Sequence, residues 1–193
     1  MIAVIDYDTG NLESVTNALG RLEAEYIITS SGDEILRADR VLLPGVGEAA
    51  TAMAKLRERG LVEVIRAIKA PALGICIGMQ LMCASSEEGN AECIGIFDNV
   101  VRKLDAPGLK IPHIGWNDIY NLKSPLFRGV DENTYVYYVH SYAADVNADT
   151  IAVTNYGADF SGALARDNFY GVQFHPEKSA AAGERILKNF LEL

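Results

Sequence analysis

The sequence predicts an α/β fold, a mostly parallel sheet flanked by helices with antiparallel strands added to it. Three observations carry that prediction. In the first half, short apolar runs alternate with segments of helical period, the pattern of right-handed β-α-β crossovers. In the second half, strand-like segments follow one another with Gly, Asn and Asp between them, as antiparallel strands do. The chain then closes on a helix over Ala180–Leu191, apolar at Ile186, Leu187, Phe190 and Leu191.

Ile2–Ile5 is short, apolar and rich in β-branched residues, so it reads as the first strand, and "DYDTGN" after it as a polar turn. Leu12, Val15, Leu19 and Leu22 then fall at helical spacing. Tyr26–Thr29 reads as a second strand and residues 41–43 as a third, stopped by "PGVG". Met53, Leu56, Leu61, Val64, Ile65 and Ile68 make one or two helices interrupted near Gly60. Ala72–Ile75 is a fourth strand, continued by a helix over residues 77–84. Residues 95–104, 116–120, 135–139, 151–155, 163–166 and 170–174 are strand-like and read as antiparallel additions to one edge of the parallel core. No repeat, low-complexity tract or linker divides residues 1–193, which read as a single domain.

Composition narrows the function classes. Apolar residues make up 49% of the chain and charged residues 22%, the balance of a globular protein with a full core. The net charge of −9 and the lack of a basic cluster argue against nucleic acid or an anionic membrane as partner. The N-terminus has no basic segment ahead of its apolar residues, unlike a signal peptide. The longest uncharged stretch, residues 70–86, is broken by Pro71, Gly74, Gly78 and Gln80, which argues against a membrane span. Three cysteines without a C-x-x-C pair suggest neither a disulfide framework nor a zinc site, and point to the reducing cytoplasm.

The chemistry concentrates at "LGICIGMQ". Free cysteine is often a small buried filler, but Cys76 stands between a predicted strand and a predicted helix, with Gly74 and Gly78 two residues to either side. A sharp strand-to-helix turn needs glycines there to avoid collisions, and it raises its central residue to the top of the sheet. At a helix N-terminus the dipole and unused backbone N–H groups favour a thiolate, and the Ile77 N–H is the natural donor for a developing oxyanion. A nucleophilic cysteine needs a base, and the base needs an orienting group. His175 follows an apolar strand in "YGVQFHPEKS", and Glu177 lies two residues on, where its carboxylate can fix the imidazole tautomer. Taken together, the two motifs make cysteine catalysis the better reading.

"PGVG" at 44–47, "GICIGMQ" at 74–80 and "QFHPEKS" at 173–179 resemble the class I (triad) glutamine amidotransferases, in the family's order and approximate spacing, and the likeness runs the whole length of the chain. "DYDTGNLESV", "PHIGWN" and "YYVHSY" resemble more narrowly the branch that supplies ammonia to imidazole glycerol phosphate synthase. The resemblance implies a catalytic triad of Cys76, His175 and Glu177 acting on glutamine. It implies an oxyanion hole in which the Val46 or Gly47 N–H faces that of Ile77. It also implies substrate contacts from Gln80, Glu88, Ser141 and Tyr142, with the Glu88 carboxylate suited to the substrate ammonium.

Ammonia protonates and diffuses away at neutral pH, so such a glutaminase hands it on directly. The resemblance implies a (β/α)8-barrel cyclase as partner, making imidazole glycerol phosphate and aminoimidazole carboxamide ribotide. Trp116, Asn117, Tyr137 and Lys178 would lie at that interface. No metal, nucleotide or flavin motif is present, so no cofactor is expected. His140 is a rival base without an adjacent acid and, like His113, reads as a residue satisfied by local hydrogen bonds. Three other readings remain: the glutaminase of pyridoxal phosphate synthase, a Cys-His-acid hydrolase of esters or small amides, and a binding subunit that has lost turnover.

Overall fold

The computed structural model describes residues 1–8 and 12–193. The middle of the expected "DYDTGN" turn, residues 9–11, lies outside the described residues. The first half alternates as β1 (Ile2–Ile5), α1 (Glu13–Arg21), β2 (Tyr26–Thr29), α2 (Gly32–Arg37), β3 (Arg40–Leu43), α3 (Ala49–Glu58), α4 (Leu61–Ala67), β4 (Ala72–Ile75) and α5 (Ile77–Met82). The second half adds β5 (Ser85–Ser86), β6 (Ala91–Glu92), β7 (Val100–Lys103), β8 (His113–Ile119), β9 (Thr134–His140), β10 (Tyr142–Ala144), β11 (Thr150–Tyr156), β12 (Ala158–Arg166), β13 (Phe169–Val172) and α6 (Ala180–Leu191).

The main sheet runs β11-β12-β13-β4-β3-β1-β2. Its five strands from β13 to β2 are parallel, and β12 and β11 continue it antiparallel. β1 and β4 are buried along their whole length because helices cover both faces, which is why they read as unbroken apolar runs. α6 packs Ile186, Leu187 and Phe190 into the core, as its spacing predicts. α5 is buried on every side, so no amphipathic period marks it, and it ends at Met82, two residues short of the expected 84.

The second half departs from the expectation of one edge. Only β11 and β12 extend the main sheet at its edge, while β13 inserts beside β4 as a parallel strand. β10, β7, β5 and β6 form a second sheet, and β8 with β9 a two-stranded third. The expected strand at 95–104 shrinks to β7, because residues 94–97 turn back and their N–H groups bond to Leu81, Met82 and Cys83 at the end of α5. α2, with Ile35 its one buried residue, is too short to show a period.

The consequence for function is positional. β4 and β13 are neighbours in register, with Val172 opposite Ile75. The residues that follow them, Cys76 and the 173–178 segment, therefore emerge side by side at the carboxyl end of the sheet. That end is where open α/β sheets place their sites.

Candidate active site

Cys76 joins β4 to α5 with φ 53° and ψ −111°, a conformation that residues with a β-carbon rarely adopt. The surrounding packing imposes it. A β-carbon on Gly78 would sit 1.8 Å from the Leu43 carbonyl oxygen, and one on Gly74 would sit 2.7 Å from the backbone of Gly78 and Met79. The turn is thus pressed against the end of β3, and only glycine fits at either side. Cys76 is 5% exposed, but its sulfur faces a cleft of about 310 Å³, lined also by Gly45, Val46, Gly47, Ile77, Gln80 and His175.

His175 follows β13, and Glu177 sits in a short 3₁₀ turn, Pro176–Lys178. The imidazole Nδ1–H donates to Glu177 Oε1 at 2.7 Å, which leaves Nε2 for the cleft. Both side chains are shielded, and neither His175 Nε2 nor Glu177 Oε2 has a hydrogen-bond partner. Burial opposes charge on the ring, but the Cys76 sulfur and the Glu177 carboxylate outweigh it and push the imidazole up to about 10. The sulfur and the ring line the same cleft, though no S–H···N bond is formed. The positioning is fixed from behind: the His175 N–H donates to Tyr137 O at 2.9 Å, and Ser179 Oγ donates to His175 O at 2.7 Å.

On the opposite wall, the "PGVG" loop leaves β3 beside the start of α5. Tyr7 Oη donates to Pro44 O at 2.9 Å, and Gly45 abuts Ile77 and Gly78. Val46, Gly47 and Ile77 all line the cleft, and Gly47 holds a φ of 92°. Ile77 opens α5, so its N–H has no partner within the helix.

The expected substrate contacts gather in the same cleft: Gln80, Glu88, Ser141 and Tyr142 all line it. Gln80 is fully buried, and its Nε2 donates to Tyr142 O and to Gln173 Oε1, both at 2.8 Å. Its Oε1 is buried without a partner, a polar atom held ready for a donor. Glu88 is already engaged, accepting from the Ala49 N–H at the start of α3 at 2.9 Å. Burial raises its carboxyl above the ordinary value, and that bond partly offsets the rise.

The rival histidine is excluded as a base by its bonding. His140 Nδ1–H donates to Tyr142 O at 2.8 Å, so its Nε2 must be the acceptor for His113 Nδ1–H at 2.9 Å. Burial above all drives His140 down to about 3 and His113 to about 4, so both are neutral. Of the four residues expected at a partner surface, Trp116 is 51% exposed and stacks edge-on against Tyr137 at 5.9 Å. Asn117 Nδ2 donates to Asn155 O, and the exposed Lys178 lines the cleft mouth. Trp116 shares its exposed face with Ile114 and Tyr135, both 60% exposed, on the β8–β9 pair.

One residue in contact with Cys76 carries no role expected from the sequence. Gln173 is fully buried, and its Nε2 donates to Cys76 Sγ at 3.6 Å. The signal that could have found it is a glutamine closing a buried apolar strand directly before His-Pro-Glu, where an amide must find partners inside the protein.

The family model described as glutamine amidotransferase class-I matches residues 3–193. The chain is 54% identical to the imidazole glycerol phosphate synthase subunit HisH of Bacteroides fragilis (strain YCH46), over 100% of this chain and 99% of that protein. It is 48% identical to the subunit of the same name from Escherichia coli (strain K12), with the same coverage. Among solved structures, one titled glutamine amidotransferase superposes with a TM-score of 0.77 at 16% identity, over 100% of this chain and 98% of that one. A glutamine amidotransferase from Thermotoga maritima superposes with a TM-score of 0.63 at 18% identity, over 99% and 82%. Those two likenesses bear on the fold.

Proposed function

Because the chain belongs to the class-I glutamine amidotransferase family, we propose that it hydrolyses glutamine as the ammonia-supplying subunit of an imidazole glycerol phosphate synthase, in histidine biosynthesis. Full-length identity of about half to subunits of that name supports the reading. The observation that carries the chemistry is that Cys76 shares one cleft with an imidazole that Glu177 holds in one tautomer.

In this reading the His175 ring already holds the proton given up by Cys76, and Cys76 Sγ, as thiolate, forms a bond to the side-chain amide carbon of glutamine. The C=O π electrons move onto oxygen, where the Ile77 N–H and the Val46 or Gly47 N–H receive the oxyanion. His175 then gives its proton to the amide nitrogen, the C–N bond breaks, and ammonia leaves. A glutamyl thioester remains. Water attacks it as His175 takes a water proton, the C–S bond breaks, glutamate departs, and the thiolate is left beside the protonated ring. Glu177 holds the ring and offsets its charge throughout. Gln80 Oε1 offers an acceptor to a donor group of the substrate, and Glu88, Ser141 and Tyr142 complete the pocket.

The family's subunit names imply an assembly with a second subunit. We take the partner to be a (β/α)8-barrel cyclase that docks over Trp116, Asn117, Tyr137 and Lys178. An exposed Ile114, Trp116 and Tyr135 beside the cleft mouth suits that role, since large apolar side chains on one exposed face mark interaction surfaces. Cytoplasmic placement fits three free cysteines. Among the described residues no helix is long and apolar enough to cross a membrane.

Replacing Cys76 with Ala tests the assignment. Glutamine-dependent synthesis by the assembled enzyme should fall to background while synthesis from added ammonia continues. Equal loss of both would make Cys76 a structural residue and overturn the reading.

A further inference from the structure

We infer that Gln173 is a positioning residue for the nucleophile: its buried amide N–H holds the Cys76 sulfur and favours its thiolate form. The inference deepens the glutaminase reading and rests on it. Gln173 touches the reaction only through the sulfur, and its own place is set by a chain of hydrogen bonds whose polarity can be read from one end to the other.

The chain starts at the Tyr142 carbonyl oxygen, which can only accept. It receives His140 Nδ1–H at 2.8 Å and Gln80 Nε2–H at 2.8 Å. The nitrogen end of the Gln80 amide is therefore fixed towards Tyr142, and its second N–H reaches Gln173 Oε1 at 2.8 Å. With its oxygen committed to Gln80, the Gln173 amide must turn its nitrogen towards Cys76, and Nε2 lies 3.6 Å from the sulfur. No part of the relay is open to solvent at Gln173 or Gln80, both 0% exposed. A buried amide locked at one end by a fixed acceptor is a pre-organised donor at the other.

The sulfur has a second protein contact of opposite sense. Its S–H can donate to Val139 O at 3.9 Å, a contact that suits the protonated thiol. An N–H donor strengthens as its acceptor becomes anionic, whereas a carbonyl oxygen repels that anion. Gln173 and Val139 thus bias the sulfur in opposite directions, and removing Gln173 leaves the Val139 contact, which favours the thiol, opposed by the His175 imidazole alone. The ionisable groups facing Cys76 are the His175 imidazole with Glu177 behind it, the neutral His140 backed by His113, and Glu88 and Lys178 on the cleft lining. Gln173 is the neutral amide donor among these neighbours.

The test uses the full chain without glutamine and follows iodoacetamide alkylation of Cys76, localised by fragment mass spectrometry, across pH. Gln173→Met keeps the chain length and removes the donor. Gln173→Glu keeps the shape and sets a carboxylate against the sulfur. For whichever variant retains the native circular dichroism, the neutral-pH rate should drop about tenfold for Met, the loss of one hydrogen bond to a charged group, and further for Glu. Both rates should recover at alkaline pH. A profile that overlays the wild type, or a rate reduced equally at every pH, would overturn the proposal and leave Gln173 a packing residue. In the wild type, failure of glutamine to protect Cys76 from alkylation would instead sink the glutaminase reading, so the two can fail separately.

Discussion

Cys76 is held at positive φ because Gly74 and Gly78 let α5 press against the end of β3, and the strained turn exists only while that packing does. Gly78→Ala should therefore destabilise the fold by about 3 kcal/mol or more, since its methyl would overlap the Leu43 carbonyl oxygen at 1.8 Å. Chemical denaturation checks this, and wild-type stability would show that the turn is not constrained as described. The grouping of Cys76 with His175 and Glu177 was legible in the sequence because each half is a local pattern: glycines flanking Cys76, and a carboxylate two residues after His175. Gln173 was not legible in its role. Its partners, Gln80 and Cys76, lie 93 and 97 positions away, and no spacing rule relates an amide to groups that only the β4–β13 pairing brings near.

The β8–β9 pair does two jobs at the level of the element. One face is exposed at Ile114, Trp116 and Tyr135, and the other buries His113 and Tyr138. His113 stacks on Tyr138 at 4.8 Å and on Tyr156 at 3.9 Å, which fixes it for its bond to His140. Both histidines are depressed by burial, to about 4 and about 3. A depressed base binds its proton more weakly folded than unfolded, so the stability it contributes is complete above about pH 6.5 and is lost as pH falls towards the folded values. Replacing both with Gln should flatten the fall in unfolding free energy between about pH 6.5 and pH 4 by more than about 1 kcal/mol. An unchanged slope would mean that other groups control acid stability. Whereas β13 was expected antiparallel and lies parallel to β4, β1 to β4 were readable as parallel strands from their short apolar runs between helices, and α6 from its period. The grouping of the later strands into three sheets was not, because alternation along β8 or β11 says which face is covered without saying by what.

For the whole molecule, the cleft opens beside the exposed face of β8 and β9, and a partner seated there, as proposed, would receive ammonia made at Cys76. Trp116 is half exposed, so Trp116→Ala should leave the melting temperature of the isolated chain within a few degrees while weakening association with the cyclase about 30-fold, the effect of losing one aromatic anchor. Calorimetric titration reads both halves of that prediction, and undiminished affinity would remove Trp116 from the interface. The chain's net charge of −9 suits a protein partner better than a nucleic acid. β4 and β13 bring Cys76 and His175 to one cleft, and their interaction there can be measured directly. NMR of imidazole-labelled protein should find the His175 ring still protonated well above pH 6.5 in the wild type, towards about 10, and should find its titration moved sharply down in Cys76→Ala. A ring that titrates near pH 6.5 in both proteins would mean that the sulfur and the imidazole do not meet.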